Sequence, residues 1–208
     1  MIKLETSILL PEYQTNTYLM WETESKEALL IDPAAPSAPL LDFIHKHELK
    51  MIYVLNTHGH LDHIGGNDYF ATALGVGVAI HSADAPMLTD NSKNFSAMFG
   101  RPLALSSATK MLEDQDKLML GLTPVQIIHT PGHTKGSICL LAESYLISGD
   151  TLFEQSIGRT DLPGGSNAEI RKSIKEKLFT LPDHVLVFPG HGPATSIGLE
   201  KQNNPFVR

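Results

Sequence analysis

Apolar residues recur along the whole chain in short blocks or in alternation with polar ones, and the spacing predicts its elements. Residues 2–9, 16–21 and 28–31 read as strands, the last ending at Asp32-Pro33. Ser37 is placed to cap a helix with Pro39 in its first turn and Leu40, Leu41 and Ile44 on one face. An apolar strand at 51–55 stops at Asn56, and Asn67 is expected to cap the next helix, with Phe70 and Leu74 four apart and Gly75 as its stop. Residues 76–80 are again strand, and about 82 to 105 are mixed short helices and loop. The second half gives strands at 117–120, 125–129, 138–142, 145–147 and 185–188. Within it, Ser166 and Glu169 form a capping box before a helix with Ile170, Ile174 and Leu178 on one stripe. Two sheets packed face to face, each with helices on its outer side, would bury all these stripes. The expected fold is therefore α/β, a four-layer αββα sandwich formed by a single domain spanning 1–208.

Composition narrows the function classes. Lys and Arg total 16 against 23 Asp and Glu, a formal charge of −7. An acidic chain without a basic block is not expected to bind nucleic acid backbones, although a small nucleotide remains open as a ligand. The single cysteine, Cys139, excludes an intrachain disulfide and a Cys-only zinc site. The first ten residues include Lys3 and Glu5 and no long apolar run, so no membrane association and a cytoplasmic location are expected. Histidine is the outlier, with 10 residues.

Five of those histidines gather into motifs. Thr57-His58-Gly59-His60-Leu61-Asp62-His63 follows directly on an apolar strand. His58 and His60 are two apart, a spacing that puts them on opposite sides of a helix, so they converge only from a loop. Gly59 is expected to supply the bend. Adjacent Asp62 and His63 must diverge, which suits two metal ions better than one. His133, Asp150 and His191 each end a predicted strand and follow a glycine. Strand ends on one edge can collect such residues at a single cleft. The seven candidates are His58, His60, Asp62, His63, His133, Asp150 and His191. Imidazole and carboxylate without thiolate suit two divalent metal ions, zinc foremost, with iron or manganese as alternatives. Two carboxylates against two dications leave an excess of positive charge, which favours activated water. Asp150 is the natural bridge between the ions, and Asp62 and Asp150 are the candidates to position that water and relay protons.

Other residues have plainer readings. His45 and His47 sit near a helix end as solvated side chains. His81, His129 and His184 stand alone as structural or surface groups, and Cys139 lies in a strand as a buried, inert thiol. Asp32 either caps a turn or holds the 57–63 loop from behind. A single structural zinc is the main alternative for the cluster, but it leaves three of the seven candidates unexplained.

The 57–63 string resembles the T-H-x-H-x-D-H signature of the metallo-β-lactamase superfamily, and the strings around His133, Asp150 and His191 follow in that family's order. The resemblance implies a metallo-β-lactamase-like αββα fold. It implies a first metal on His58, His60 and His133 and a second on Asp62, His63 and His191, bridged by Asp150. Gly149-Asp150-Thr151-Leu152-Phe153, Gly158-Arg159-Thr160-Asp161 and Asn204-Pro205-Phe206 are similar to the glyoxalase II-like branch, which hydrolyses the thioester S-lactoylglutathione. That similarity implies a small-molecule thioester substrate, with Arg159 where a basic residue contacts glutathione. As cations, Lys135 and Lys201 are further candidates to anchor a substrate carboxylate. The chain departs from that branch in two ways. It is expected to lack the branch's separate C-terminal glutathione-binding helical domain, and it carries Gly192-Pro193 where that branch has Glu-Tyr. Both leave the thiol part of the substrate open. The alternatives on the same scaffold are a mono-iron persulfide dioxygenase and a non-catalytic metal-binding protein. A β-lactamase is disfavoured because Asp150 stands where many of those enzymes have cysteine, and an RNase Z-like nuclease is disfavoured by charge.

Overall fold

Alternation of side-chain direction along β3 (Glu27–Ile31) shows how the layers form. Leu29 and Ile31 enter one apolar cluster while Ala28 and Leu30 enter another, so both faces of the strand are buried. The computed structural model, which describes residues 1–207, builds a first sheet in chain order. It runs β1 (Ile2–Ile8), β2 (Asn16–Glu22), β3, β4 (Lys50–Leu55), β5 (Gly77–His81) and β6 (Lys110–Leu112). The second half gives β7 (Lys117–Leu120), β8 (Thr123–His129), β9 (Ile138–Ala142) and β10 (Tyr145–Gly149). A small hairpin, β11 (Leu152–Phe153) and β12 (Ser156–Ile157), precedes β13 (Leu186–Pro189) and β14 (Thr195–Ser196). The second sheet has the order β14-β13-β10-β9-β8-β7.

Three apolar clusters separate four layers. Between the sheets, Tyr18, Met20, Leu29 and Leu55 of the first meet Ile127, Leu140 and Ile147 of the second. Outside the first sheet, Leu19, Leu30 and Val54 pack on Ile44 of α1 (Ala38–Lys46) and Phe70 of α3 (Asn67–Leu74). Outside the second, Leu146 and Val187 pack on Ile170 and Ile174 of α5 (Asn167–Glu176) and on Ile197 of α6 (Ile197–Asn203). This is the expected αββα sandwich.

Helix ends follow local chemistry. Ser37 caps α1 by accepting from the Leu40 amide, and Ser166 caps α5 by accepting from the Glu169 amide. Gly75 ends α3 in the left-handed region at φ 66°. Asn67 is not a cap: it is the first helical residue, Gly66 stands at the cap position, and the Asn67 amide exchanges hydrogen bonds with the Asn56 amide instead. Tertiary pairing at the end of β4 thus outcompetes the local cap. Cys139 is fully buried and its thiol is pushed up to about 11 by that burial, consistent with an inert group. His45, His47 and His184 are exposed, and His81 and His129 stack on each other with ring centroids 4.1 Å apart.

Strand direction positions the site. β3 and β4 are parallel, as are β10 and β13. β8 is antiparallel to β9, which is antiparallel to β10, so β8 runs with β10 and β13. The segments that follow β3, β4, β8, β10 and β13 therefore leave their sheets at carboxyl ends, where ligands gather in open α/β sheets. Backbone bonds tie the two sheets together along this edge: the Ile138 amide donates to the Thr57 carbonyl (2.9 Å) and the Asn16 amide to the Gly190 carbonyl (2.7 Å). Among the described residues, no helix is long and apolar enough to cross a membrane.

Candidate metal centre

After β4 the chain bends at Thr57 and His58, passes through Gly59 to an extended His60 and then enters α2 (Leu61–Ile64), one short turn. The loop presents His58 and His60, and the turn sends Asp62 and His63 in different directions, as their adjacency requires. Gly59 serves a different purpose from the expected bend. Its backbone is outside the left-handed region, and a side chain there would strike the Cβ of Met87, 2.5 Å away. Close packing against α4 (Ala85–Thr89) is its physical role. Gly149 does need its freedom, with φ 48° and a backbone pressed against the Thr57 side chain. At Gly190 a methyl group would overlap Asp150 Oδ1 and crowd the His63 ring.

All seven predicted ligands meet at this edge. His133 Nε2 lies 2.9 Å from His60 Nδ1 and 3.3 Å from His58 Nε2. His63 Nε2 lies 3.3 Å from His191 Nε2, and Asp62 Oδ2 is 3.3 Å from His191 Nε2 and 3.6 Å from His63 Nε2. Asp150 stands between these two groups. Its Oδ2 is 3.5 Å from His133 Nε2 and 3.6 Å from His191 Nε2, and its Oδ1 is 3.5 Å from His63 Nε2.

Two observations test whether these residues suit a metal. Asp150 Oδ1 is buried without a hydrogen-bond partner among the described residues, an arrangement that is costly unless a cation faces it. Secondly, the outward ring nitrogens are anchored as in metal-ligating histidines. His133 Nδ1 donates to the Arg159 carbonyl (2.8 Å), His191 Nδ1 to the Tyr13 carbonyl (3.0 Å) and His63 Nδ1 to Asp32 Oδ2 (2.9 Å). Each donor bond turns Nε2 inward, towards the cluster. The donor set fits divalent ions.

Asp32 resolves its two sequence readings in favour of support from behind the loop. Besides His63, it accepts from the Thr57 amide (2.7 Å) and the Thr57 hydroxyl (2.6 Å), while its own backbone is left-handed at φ 50°. Asp84 is a supporting residue that the sequence did not single out. Buried, it accepts from the amides of Gly59 (3.1 Å) and Gly136 (2.7 Å) and from the Thr134 hydroxyl (2.7 Å), tying the loop of His60 to the turn of His133. No motif marks it, since its partners are distant in sequence.

The two groups differ in charge before any ion arrives. Burial, reinforced by neighbouring imidazoles, holds His58 and His60 well below the ordinary histidine range. For His63 burial acts in the same direction but is outweighed by Asp62, Asp150 and Asp32, which raise it to about 10. His191 is raised too, burial again being outweighed, here by Asp62 and Asp150. His58 and His60 are therefore neutral and ready at pH 7, whereas His63 must lose a proton to become a ligand, and the rise at His191 works in the same direction. Raised values mean that affinity at the Asp62–His63–His191 group falls as pH falls. Calorimetric titration of a His58→Ala/His60→Ala variant in two buffers should show proton release and weaker ion binding at pH 6 than at pH 8. Affinity independent of pH over that window contradicts this ordering.

The cluster forms the floor of a cavity of about 360 Å³ whose walls are Tyr13, Phe95, Phe99, Phe153 and Leu162, with Arg159 at one side. Arg159 is paired bidentately with Asp161, both bonds 2.8 Å. Lys135 lines a neighbouring cavity. Lys201 lines neither cavity; its ammonium bonds Asp183 (2.6 Å) and the Leu181 carbonyl (2.9 Å).

Comparison with known proteins agrees with this architecture. The chain is 38% identical over 207 residues to an uncharacterised protein of Mycobacterium leprae, covering 93% of this chain and 94% of that one. It is 34% identical over 199 residues to the hydroxyacylglutathione hydrolase GloC of Haemophilus influenzae, covering 94% of this chain and 93% of the relative. Among solved structures, the BLEG-1 B3 metallo-β-lactamase superposes with a TM-score of 0.91 at 36% identity over 99% of both chains. A di-iron-bound form of TTHA1623 superposes with a TM-score of 0.82 at 33% identity over 97% of this chain and 99% of that one. A profile of the metallo-β-lactamase superfamily matches residues 10–191, which include all seven clustered ligands, and the chain belongs to that superfamily.

Proposed function

We propose that the protein is a binuclear metal-dependent hydrolase of small-molecule thioesters, of the hydroxyacylglutathione type. The observation that carries the reading is the placement of Asp150, whose two oxygens face the two ligand groups from between them. In this reading His58, His60 and His133 hold one ion, Asp62, His63 and His191 hold the other, and Asp150 bridges. Ions bound there, zinc foremost, supply Lewis acidity and a water whose pKa falls to about 7. The rest is done by the chain. Asp62, oriented by the Thr15 hydroxyl at 3.3 Å, and Asp150 accept hydrogen bonds from the attacking water and fix its approach. The aromatic walls exclude bulk water from the acyl group and strengthen every charge inside. Arg159 links the two tasks, since its carbonyl orients His133 while the residue lines the substrate cavity.

The identity to GloC supports a thioester, and a small acyl thioester fits a cavity of about 360 Å³. Purified protein is expected to carry two equivalents of zinc, iron or manganese and to hydrolyse S-lactoylglutathione, with activity lost on chelation and restored by metal. Metal-loaded protein inert towards a thioester panel contradicts the reading. The similarity to BLEG-1 favours a second substrate class, β-lactams, so a penicillin and a cephalosporin belong in the same assay. Oxygen consumption with glutathione persulfide by a mono-iron form would favour a dioxygenase.

A further inference from the structure

A second cavity, of about 380 Å³, adjoins the one above the histidine cluster. Phe95 lines both, and the consecutive residues Leu162 and Pro163 face one cavity each. Phe95 is buried, sits 5.2 Å from the His60 ring between centroids, and has a left-handed backbone at φ 64°. A phenylalanine seldom adopts that conformation, and such strain persists only where the surroundings hold it. Packing against His60 on one side and the second cavity on the other makes it a partition between two halves of one binding surface.

The second cavity is the basic one. Its lining includes Lys93 and Lys135 together with Ser92, against apolar Met87 and Pro163. The chain as a whole carries −7, so two ammonium groups at one cavity are a local inversion of the field. Among the described residues the Lys135 ammonium has no ion-pair or hydrogen-bond partner, and Lys93 has only a 3.5 Å exposed pair with Asp90. This separates them from Arg159, already neutralised by Asp161, and from Lys201, held by Asp183. The one carboxylate in the lining, Asp84, has both oxygens committed to Gly59, Thr134 and Gly136. Those same bonds fix the backbone on both sides of Lys135, and its carbonyl accepts from His129 Nε2 (2.9 Å). A well-tied turn thus places Lys135, exposed and without a charge partner among the described residues, two residues from His133.

We infer that this cavity is a subsite for an anionic group, carboxylate or phosphate, of the molecule whose scissile bond lies over the histidine cluster. Lys135 is its principal contact, Lys93 the second, and Phe95 the wall that the substrate spans. The inference rests on the thioester reading and specifies its substrate as one bearing a negative charge remote from the carbonyl.

The test compares holoenzyme with Lys135→Ala and Lys93→Ala/Lys135→Ala variants on three acetyl thioesters: S-acetylglutathione, acetyl-coenzyme A and uncharged S-acetyl-N-acetylcysteamine. The expected result is a fall of about tenfold in the preference for one anionic thioester over the neutral one, measured as the ratio of kcat/KM values and recovered by Lys135→Arg. The substrate affected tells carboxylate from phosphate. An unchanged ratio overturns the subsite, because a merely structural role of Lys135 would move all three substrates alike. If the wild-type protein hydrolyses none of them, the thioester reading falls while the subsite is still decided by calorimetry with S-methylglutathione and S-methyl-coenzyme A. Binding that weakens in the variants supports it; binding equal to wild type, or absent from wild type, overturns it.

Discussion

Replacing Asp150 with alanine is expected to lower bound metal from two equivalents to one or fewer and to cut turnover on the order of 10²–10³-fold. The side chain is a carboxylate that reaches both ligand groups, at 3.5 Å from His133, 3.5 Å from His63 and 3.6 Å from His191. Without it the two cations would face each other across the site with no carboxylate between them. The fold should survive, because the lost Oδ1 makes no hydrogen bond to the rest of the protein. Metal-free Asp150→Ala should unfold below the wild-type apo temperature, since the carboxylate that faces the protonated His63 ring is removed. Asp150→Asn separates charge from shape: it keeps the volume and loses the bridge. Elemental analysis, apo-state thermal unfolding and thioester turnover check the set. Two equivalents of metal and full turnover in Asp150→Ala would remove the residue from the centre.

The second large effect belongs to Asp32, which touches no substrate. Asp32→Ala strands the Thr57 amide, the Thr57 hydroxyl and His63 Nδ1 in the interior, and forces alanine into a backbone at φ 50°. Breaking a buried charged network of this kind costs about 3–5 kcal/mol, which for a chain of this length lowers Tm by roughly 10 °C or more. His63 also loses the group that fixes its ring, so ion affinity at its group is expected to fall about 10–100-fold. Asp32→Asn is the discriminating control. Asparagine tolerates the left-handed backbone and its carbonyl still accepts from Thr57, so stability should largely return. Affinity should not, because the carboxylate beside His63 is gone. Equal affinity in wild type and Asp32→Asn, by metal titration, contradicts the role given to the charge.

The layers were legible in the sequence because period two on the strands and period 3.6 on α1 and α5 leave apolar stripes that only facing sheets with outer helices can bury. The metal ligands were legible for a different reason. Each follows a strand end, and the close run from His58 to His63 already shows the density of imidazole that a metal requires. What escaped lies in two classes. α2, α6, β6, β14 and the β11–β12 hairpin are too short for periodicity to register. Asn67 looked like a cap because local chemistry favours it there, and it was claimed instead by Asn56 across the β4 end. Asp84 and Phe95 take their importance from partners that a linear reading does not bring near. Gly59 was read as a bend, when it is the closeness of Met87 that demands glycine.

Both ligand groups draw on both sheets: His58 and His60 with His133, Asp62 and His63 with His191. A nascent chain emerging from the ribosome therefore has neither group complete when its amino-terminal half is out. The first set closes only after His133 appears, and the second only after His191. An ion held by either group would therefore favour the state in which the two halves have docked. Without the ion that contribution is lost, and the opened chains on which proteases act become more populated.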